Sequence, residues 1–276
     1  MIPPRIAIQG FEGSFHQSAA NYFFGSATII PCATFREVVK IAENKKTSDG
    51  GIMAIENSIA GSILPNYSLI QKSNLNIVGE IYLHIRQHLL VNPGIKLEDI
   101  KEVHSHPMAL LQCLEYLDKY NWKLVETDDT ALSAKHVHQT HSKHIAAVAG
   151  KLAADLYGLE ILAPNIQTMK NNFTRFLVLA RKENEMYVQD ADKASVNFFT
   201  DHSRGSLAKV LTKISECGIN LSKLQSVPIP GSEWKYSFHA DMEFIEYNQF
   251  EKAMKKITSL TKEIKILGIY KKGKTI

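Results

Sequence analysis

Five short polar stretches gather most of the side chains able to bind or move charge in this chain. "NNFTRFLVLAR" (Asn171 to Arg181) crowds Asn171, Asn172, Thr174 and Arg175 against an apolar run, Phe176 to Ala180, that reads as a buried strand. "AIENSIAGSILPNY" (Ala54 to Tyr67) sets Glu56, Asn57 and Ser58 just past another buried strand, where open α/β sheets place their ligands. Glu56 is either an acid–base group there or a solvated turn residue, and Ser62 is placed to cap the next helix. "HSHPMALL" puts Ser105 and His106 ahead of Pro107, and "ETDDTALSA" puts Asp128, Asp129 and Thr130 ahead of a further helix. "QGFEGSFHQSAA" combines Gly10 and Gly13, which permit close backbone approach, with Ser14 as a helix cap. A helix start offers unpaired N–H groups and the positive end of its dipole to an anion. Several such starts around one cleft make a receptor for carboxylates. Taken singly each is an ordinary cap, the reading preferred for the two aspartates.

Other chemistries find little support. "HVHQTHSKH" (His136 to His144) has neither the i,i+4 spacing of two ligands on one helix face nor a zinc pattern, so no metal is expected. There is no GxxxxGK[ST] phosphate loop and no GxSxG elbow. Cys32, Cys113 and Cys217 are odd in number and far apart, which points to free thiols rather than disulfides or a thiolate site. The net charge of +4 owes much to lysines between Lys255 and Lys274 that flank alternating apolar residues, a solvated surface rather than a nucleic-acid face. A modest positive balance suits a small anionic substrate. No apolar run reaches the roughly 18 residues of a membrane span. The opening Met1 to Ile6 enters a strand-like run with no signal-peptide pattern, so a cytoplasmic protein without membrane contact is expected.

The elements that must position these groups follow from periodicity. Strand and helix signals alternate twice, over Arg5 to Gln71 and over Val103 to Leu162, with a long β-rich segment, Leu75 to Val91, between them. The "NNFTRFLVLAR" strand closes the second set. Such alternation predicts parallel sheets with right-handed crossovers, here in two α/β lobes with a cleft between. Thr34-Phe35-Arg36-Glu37 has the form of a capping box opening a helix. A polar stretch, Lys182 to Lys193, reads as a linker. Beyond it the order strand, helix, strand, strand, helix, strand is a split ferredoxin-like βαββαβ unit. The boundaries so read are 1–182 and 194–276.

At this point the residues resemble a known family. "NNFTRFLVLAR" is similar to the Thr-Arg-Phe signature of prephenate dehydratases, and "GFEGSF", "IENSIAGSI", "HSHP" and "LYGL" fall in that family's order from about Arg5 to Tyr270. The resemblance implies a two-lobed catalytic domain like that of periplasmic binding proteins, followed by a regulatory domain of the ACT type. It implies decarboxylating dehydration of prephenate to phenylpyruvate with no cofactor. Thr174 is then the hydroxyl assisting the leaving group, with Glu56 or His106 supplying or relaying a proton. Arg175 and the helix starts bearing Ser14, Ser105 and Thr130 would meet the carboxylates, Asn57, Ser58 and Asn172 would line the site, and Phe173 and Phe176 form an apolar wall or simply core.

The family's effector segments are altered here, to Gly205-Ser206-Leu207 and Gln225-Ser226-Val227-Pro228, the second lacking the family's acid and arginine. The resemblance implies L-phenylalanine as the effector at that site. ACT domains commonly pair, which implies a homodimer or homotetramer. Arogenate dehydratase and a non-catalytic two-lobed sensor are the alternatives; a sensor would tolerate loss of Thr174 with no activity to lose.

Overall fold

The computed structural model describes residues 2–182, 190–201, 203–229 and 231–276. The chain begins β1 (Arg5–Gln9), α1 (Phe15–Phe24), β2 (Thr28–Cys32), α2 (Phe35–Ala42), β3 (Gly50–Asn57), the two-residue β4 (Gly61–Ser62), α3 (Leu64–Lys72) and β5 (Leu75–His84). It continues with β6 (His88–Val91), β7 (Glu102–Ser105), α4 (Pro107–Gln112), α5 (Leu114–Leu117), β8 (Lys123–Glu126), α6 (Thr130–Thr140), β9 (Ile145–Ala149), α7 (Lys151–Tyr157), β10 (Glu160–Ala163) and β11 (Phe173–Arg181). The last part holds β12 (Lys193–Phe199), α8 (Ser206–Ser215), β13 (Asn220–Pro228), β14 (Tyr236–Glu243), α9 (Tyr247–Thr258) and β15 (Glu263–Tyr270).

Three sheets result. The first runs β2-β1-β3-β11-β5 with β4 beside β3, the second β10-β6-β9-β7-β8, and the third β13-β14-β12-β15. The expectation of parallel sheets is met only in part. β1, β2 and β3 are parallel, as are β7, β8 and β9, but β11 runs antiparallel to β3 and β5, and β6 antiparallel to β9 and β10. The cause is the crossing of the chain. The β-rich segment splits at 85–87 into β5 of the first sheet and β6 of the second, and residues 164–172 bring it back as β11. The two crossings are tied together where Ile85 N–H donates to Asn172 O at 2.7 Å and Ile166 N–H to Gln87 O at 2.8 Å.

Local chemistry explains most element ends. Ser14 Oγ accepts from Gln17 N–H at 3.3 Å to start α1, and Thr34 Oγ1 accepts from Glu37 N–H at 3.2 Å to start α2. Ser62 does not cap α3; it lies in β4, and the cap position is Ile63. The helical stretch that opens at Pro107 is broken at Cys113 into α4 and α5. The linker expectation holds poorly at its far end, because Lys193 begins β12 with its side chain fully buried. Residues 183–189 of that stretch lie outside the described residues.

The third sheet packs directly on the first. β15 lies so close to β5 that a Cβ on Gly268 would fall 2.0 Å from Ile77 O, a contact that only glycine permits. Apolar residues of both, including Tyr67, Leu177, Leu179, Val227, Leu267 and Tyr270, share one core. Among the described residues no helix is long and apolar enough to cross a membrane.

Candidate functional site at the ends of the strands

The first and second sheets bring their carboxyl-end loops together. The Gly10–Phe15 turn after β1 rests on the start of α6 and on α7: a Cβ on Gly10 would meet Asp129 Oδ2 at 2.7 Å, one on Gly13 would meet Ala153 Cα at 3.1 Å, and Tyr157 OH at the end of α7 donates to Glu12 O at 2.9 Å. Into this junction β3 and β11 deliver their polar ends. Their register pairs Thr174 with Asn57 and Arg175 with Glu56. Successive strand residues face opposite sides, so the two pairs have different surroundings.

Thr174 and Asn57 share the outer face. Asn57 Nδ2 donates to Asn172 Oδ1 at 2.7 Å, to Thr174 Oγ1 at 3.0 Å and to Phe173 O at 3.2 Å. Asn172 Nδ2 in turn donates to Gln112 Oε1 of α4 at 3.0 Å. Asn57 Oδ1 accepts from Ile59 and Ala60 N–H, which fixes the following loop. Ser58 is stitched to the same strand start, Phe173 N–H donating to its Oγ at 2.9 Å. The consequence for Thr174 is specific. Its oxygen is occupied as an acceptor, so its own proton is directed elsewhere and is available to donate. Beside this chain lies a cavity of about 420 Å³, walled by Ile59, Met108, Leu111 and Met169, with Gln112 and Asn172 on its rim.

Arg175 and Glu56 face the third sheet instead. Arg175 is buried; its Nε donates to Glu80 Oε2 at 2.7 Å, one amino group pairs with Asp241, and the other reaches Tyr270 OH at 3.2 Å. Burial alone would lower the guanidinium, yet Asp241, Tyr270 and Glu80 around it hold its pKa well above the usual value. Asp241 is the mirror case: burial pushes its carboxyl up, but Arg175, His239 and Lys193 hold it well below the carboxylate range. Lys193 Nζ completes the group on Glu80 at 3.0 Å. Arg175 is therefore no carboxylate clamp. Every edge of its guanidinium is committed, on the face away from Thr174. Glu56 is likewise drawn off, accepting from Lys223 Nζ at 2.6 Å.

The other expected residues are placed as follows. His106, not Ser105, caps α4: its Nδ1 accepts from Met108 N–H at 3.2 Å, which gives the other ring nitrogen, Nε2, the donor role, at a half-buried position. Ser105 is fully buried and donates to Val148 O at 2.6 Å, so it serves the second sheet and not a ligand. Asp129 caps α6 through Oδ1, with Thr130 the first helical residue; burial raises the Asp129 carboxyl against the pull of the Leu132 and Ala131 N–H groups. Ser14 is buried and engaged as a cap, and Gln17 Oε1 takes the Gly13 N–H at 2.6 Å, so the start of α1 is satisfied from within. Phe173 stacks on His84 at 4.7 Å. Phe176 is core, edge-on to buried His16 at 4.9 Å, and forms no cleft wall.

In the last unit, Gly205 adopts φ +76° at the start of α8, Ser206 Oγ donates to Asp201 O at 2.7 Å, and Leu207 packs on the third core. Gln225, Ser226 and Pro228 lie in β13, an edge strand, with Gln225 Nε2 donating to Ser226 O. Residues that sequence reading missed are Gln112, Glu80, Lys193, Lys223, Asp241 and Tyr270. Among the described residues no three His, Cys, Asp or Glu side chains are grouped to hold a metal ion.

Comparison with known proteins decides the family. Residues 6–184 match the family model described as prephenate dehydratase. The chain belongs to the prephenate dehydratase family. A bifunctional chorismate mutase/prephenate dehydratase from Enterobacter agglomerans is 34% identical over 96% of this chain and 70% of that protein. Arogenate dehydratase 2 of Petunia hybrida is 40% identical over 82% of this chain and 57% of its own length. Among solved structures, prephenate dehydratase from Arthrobacter aurescens in complex with L-Phe superposes with a TM-score of 0.83 at 26% identity, covering 97% of this chain and 90% of that one. GqqA, described as a novel type of quorum-quenching acylase, superposes at 0.88 with 29% identity, covering 97% and 98%. In this prephenate dehydratase family member, the matched region contains both strands that carry the Thr174–Asn57 pair.

Proposed function

We propose that the protein converts prephenate to phenylpyruvate, carbon dioxide and water in phenylalanine biosynthesis, with Thr174 at the reacting hydroxyl. The carrying observation is the hydrogen bond from Asn57 Nδ2 to Thr174 Oγ1, which leaves the threonine proton free to be donated. In the reaction the bond from the ring to its carboxylate breaks, and its electron pair enters the ring. The bond from the opposite ring carbon to the hydroxyl breaks with it, and the departing oxygen takes a proton to leave as water. Aromatisation drives the step. A threonine is too weak an acid to give up its proton fully, so its part is a positioned hydrogen bond to the charge developing on the leaving oxygen. With Nδ1 held as an acceptor, His106 contributes at most an Nε2–H hydrogen bond to the departing oxygen, and the proton that leaves with the water comes from solvent, relayed through the Thr174 hydroxyl. The cavity walled by Ile59, Met108 and Leu111 receives the carbocyclic ring, with the amides of Gln112 and Asn172 as its polar contacts.

The two-lobed reading is supported by the meeting of the first two sheets at their loops, with the site at the junction. For 194–276 the strand order β13-β14-β12-β15 supports an ACT-type unit. L-phenylalanine is its effector, taken at Gly205–Leu207 and Gln225–Pro228 where the exposed β13 edges of two copies pair.

The test is to mix the purified protein with prephenate, follow phenylpyruvate, and repeat with phenylalanine and with arogenate. Prephenate turnover suppressed by phenylalanine is expected. Faster turnover of arogenate would reassign the substrate, and no turnover of either would leave the sensor reading standing. Sedimentation with and without phenylalanine checks the pairing.

A further inference from the structure

We propose that Lys223 and Asp241, both from the last unit, are positioning residues for the dehydration, acting through Glu56 and Arg175 on Asn57 and Thr174. The inference rests on the dehydratase reading of Thr174.

The strand ends carrying the reactive pair are held unevenly in their own sheet: β11 keeps a regular ladder with β5 at Phe173–His84, Thr174–Leu83 and Arg175–Tyr82, but its pairing with β3 is irregular. Between Arg175–Glu56 and Phe176–Ala54 the β3–β11 register slips, leaving Ile55 as an extra residue. A bulge of this kind interrupts the ladder and re-aims what lies beyond it. Beyond it stand only the pairs Arg175–Glu56 and Thr174–Asn57. The outer pair faces the cleft and the inner pair faces the third sheet. Both inner side chains are gripped from there: Lys223 Nζ bonds Glu56 Oε1 at 2.6 Å and Ser62 Oγ at 2.8 Å, and Asp241 pairs with Arg175. Asp241 is itself fixed by Ser195 Oγ at 2.5 Å and His239 Nε2 at 3.1 Å. Holding Cα 56 and Cα 175 in this way sets the backbone directions from which Asn57 and Thr174 project, one residue away. A shift of about 1 Å at reacting groups is enough to cost about a hundredfold in rate.

The test compares Lys223→Met, Lys223→Arg and Asp241→Asn with Lys265→Met. Lys265 also ties the two units, through Gln71 and Ser73 carbonyls, but far along β5 from the bulge. Steady-state kinetics on prephenate are paired with amide hydrogen exchange over Glu56–Ile59 and Asn172–Thr174. The expected result for Lys223→Met and Asp241→Asn is kcat down about tenfold or more, KM within about twofold, and faster exchange in both segments. Lys265→Met should change neither, and Lys223→Arg should restore most of kcat. If Asp241→Asn does not fold, Lys223→Met carries the test, since its side chain is at the edge of the contact. Unchanged kcat in an active background, or an equal loss in Lys265→Met, overturns the proposal. An inactive wild-type protein overturns the dehydratase reading instead, and unchanged exchange in Lys223→Met would then overturn the positioning by itself.

Discussion

Thr174 and Arg175 are chain neighbours that serve opposite sides of one sheet: the Thr174 hydroxyl accepts from Asn57 at 3.0 Å on the cleft side, while the Arg175 guanidinium lies buried against Glu80 and Asp241 on the other. A signature that reads as one polar cluster is thus two devices. Strand pleating separates them, and that separation sets what each substitution should do.

Thr174→Val keeps the shape and removes the donor. Turnover of prephenate should fall by about a hundredfold to a thousandfold, as for loss of one preorganised donor, with thermal stability close to the parent. Phenylpyruvate formation and a melting curve check both halves. Near-parental kcat would show that the leaving group finds its hydrogen bond elsewhere.

Arg175→Met should act mainly on stability. It strands Asp241 and Glu80 in a dry site, and breaking a buried pair on one side costs about 3–5 kcal/mol. Urea unfolding measures the loss. A KM rise with unchanged stability would mean that the guanidinium meets substrate carboxylates after all.

Asn57→Asp is nearly isosteric but replaces the donating Nδ2 with an oxygen facing Asn172 Oδ1, Phe173 O and Thr174 Oγ1. Thr174 must then turn its own proton toward residue 57, which withdraws it from the leaving group. The expected outcome is a kcat loss of about a hundredfold, comparable to Thr174→Val, and non-additive with it when the two are combined. Additive losses would separate the two residues' roles.

Much of this was legible in the sequence. Thr34 opens α2 as its sequence form indicates, and Asn57, His106, Asn172 and Thr174 stand out as polar groups at strand ends or helix starts. Facing direction was not legible. Lys193, Ser195 and Asn197 alternate with Ala194, Val196 and Phe198, a pattern that ordinarily means one wet face and one dry. Here both faces are dry, because the polar one packs on the first sheet; His239 and Asp241 repeat this in β14. Periodicity reports which residues share a face. It cannot tell solvent from a second polar surface that completes the ion pairs. For the same reason Arg175 and Glu56 were grouped with the wrong neighbours, and Lys223 drew no attention.

Gly268→Ala probes the packing of the last unit on the first sheet. The added methyl would sit 2.0 Å from Ile77 O, backbone that cannot rotate away, so β15 must part from β5. A stability loss of about 1–3 kcal/mol is expected, with turnover reduced because the Arg175 network spans the same contact. Differential scanning calorimetry and kinetics at one temperature would show the two changes together.

His16 gives a test with a definite sign. Its ring is buried between Phe35 and Phe176, its Nε2 accepts from Ala54 N–H at 3.3 Å, and burial lowers its pKa from 6.5 to about 3. The folded protein holds this ring neutral, while the unfolded chain takes up a proton below about 6.5. The stability it contributes is therefore full above that pH and is lost as pH falls toward 3, by up to about 1.4 kcal/mol per unit. His16→Gln offers Ala54 an acceptor that does not titrate. Between pH 7 and pH 5 the parent should lose about 2 kcal/mol more than the variant, measured by urea unfolding at each pH. Equal losses would mean that the histidine titrates alike in both states, and hence that it is not sealed behind α1 as the fold requires.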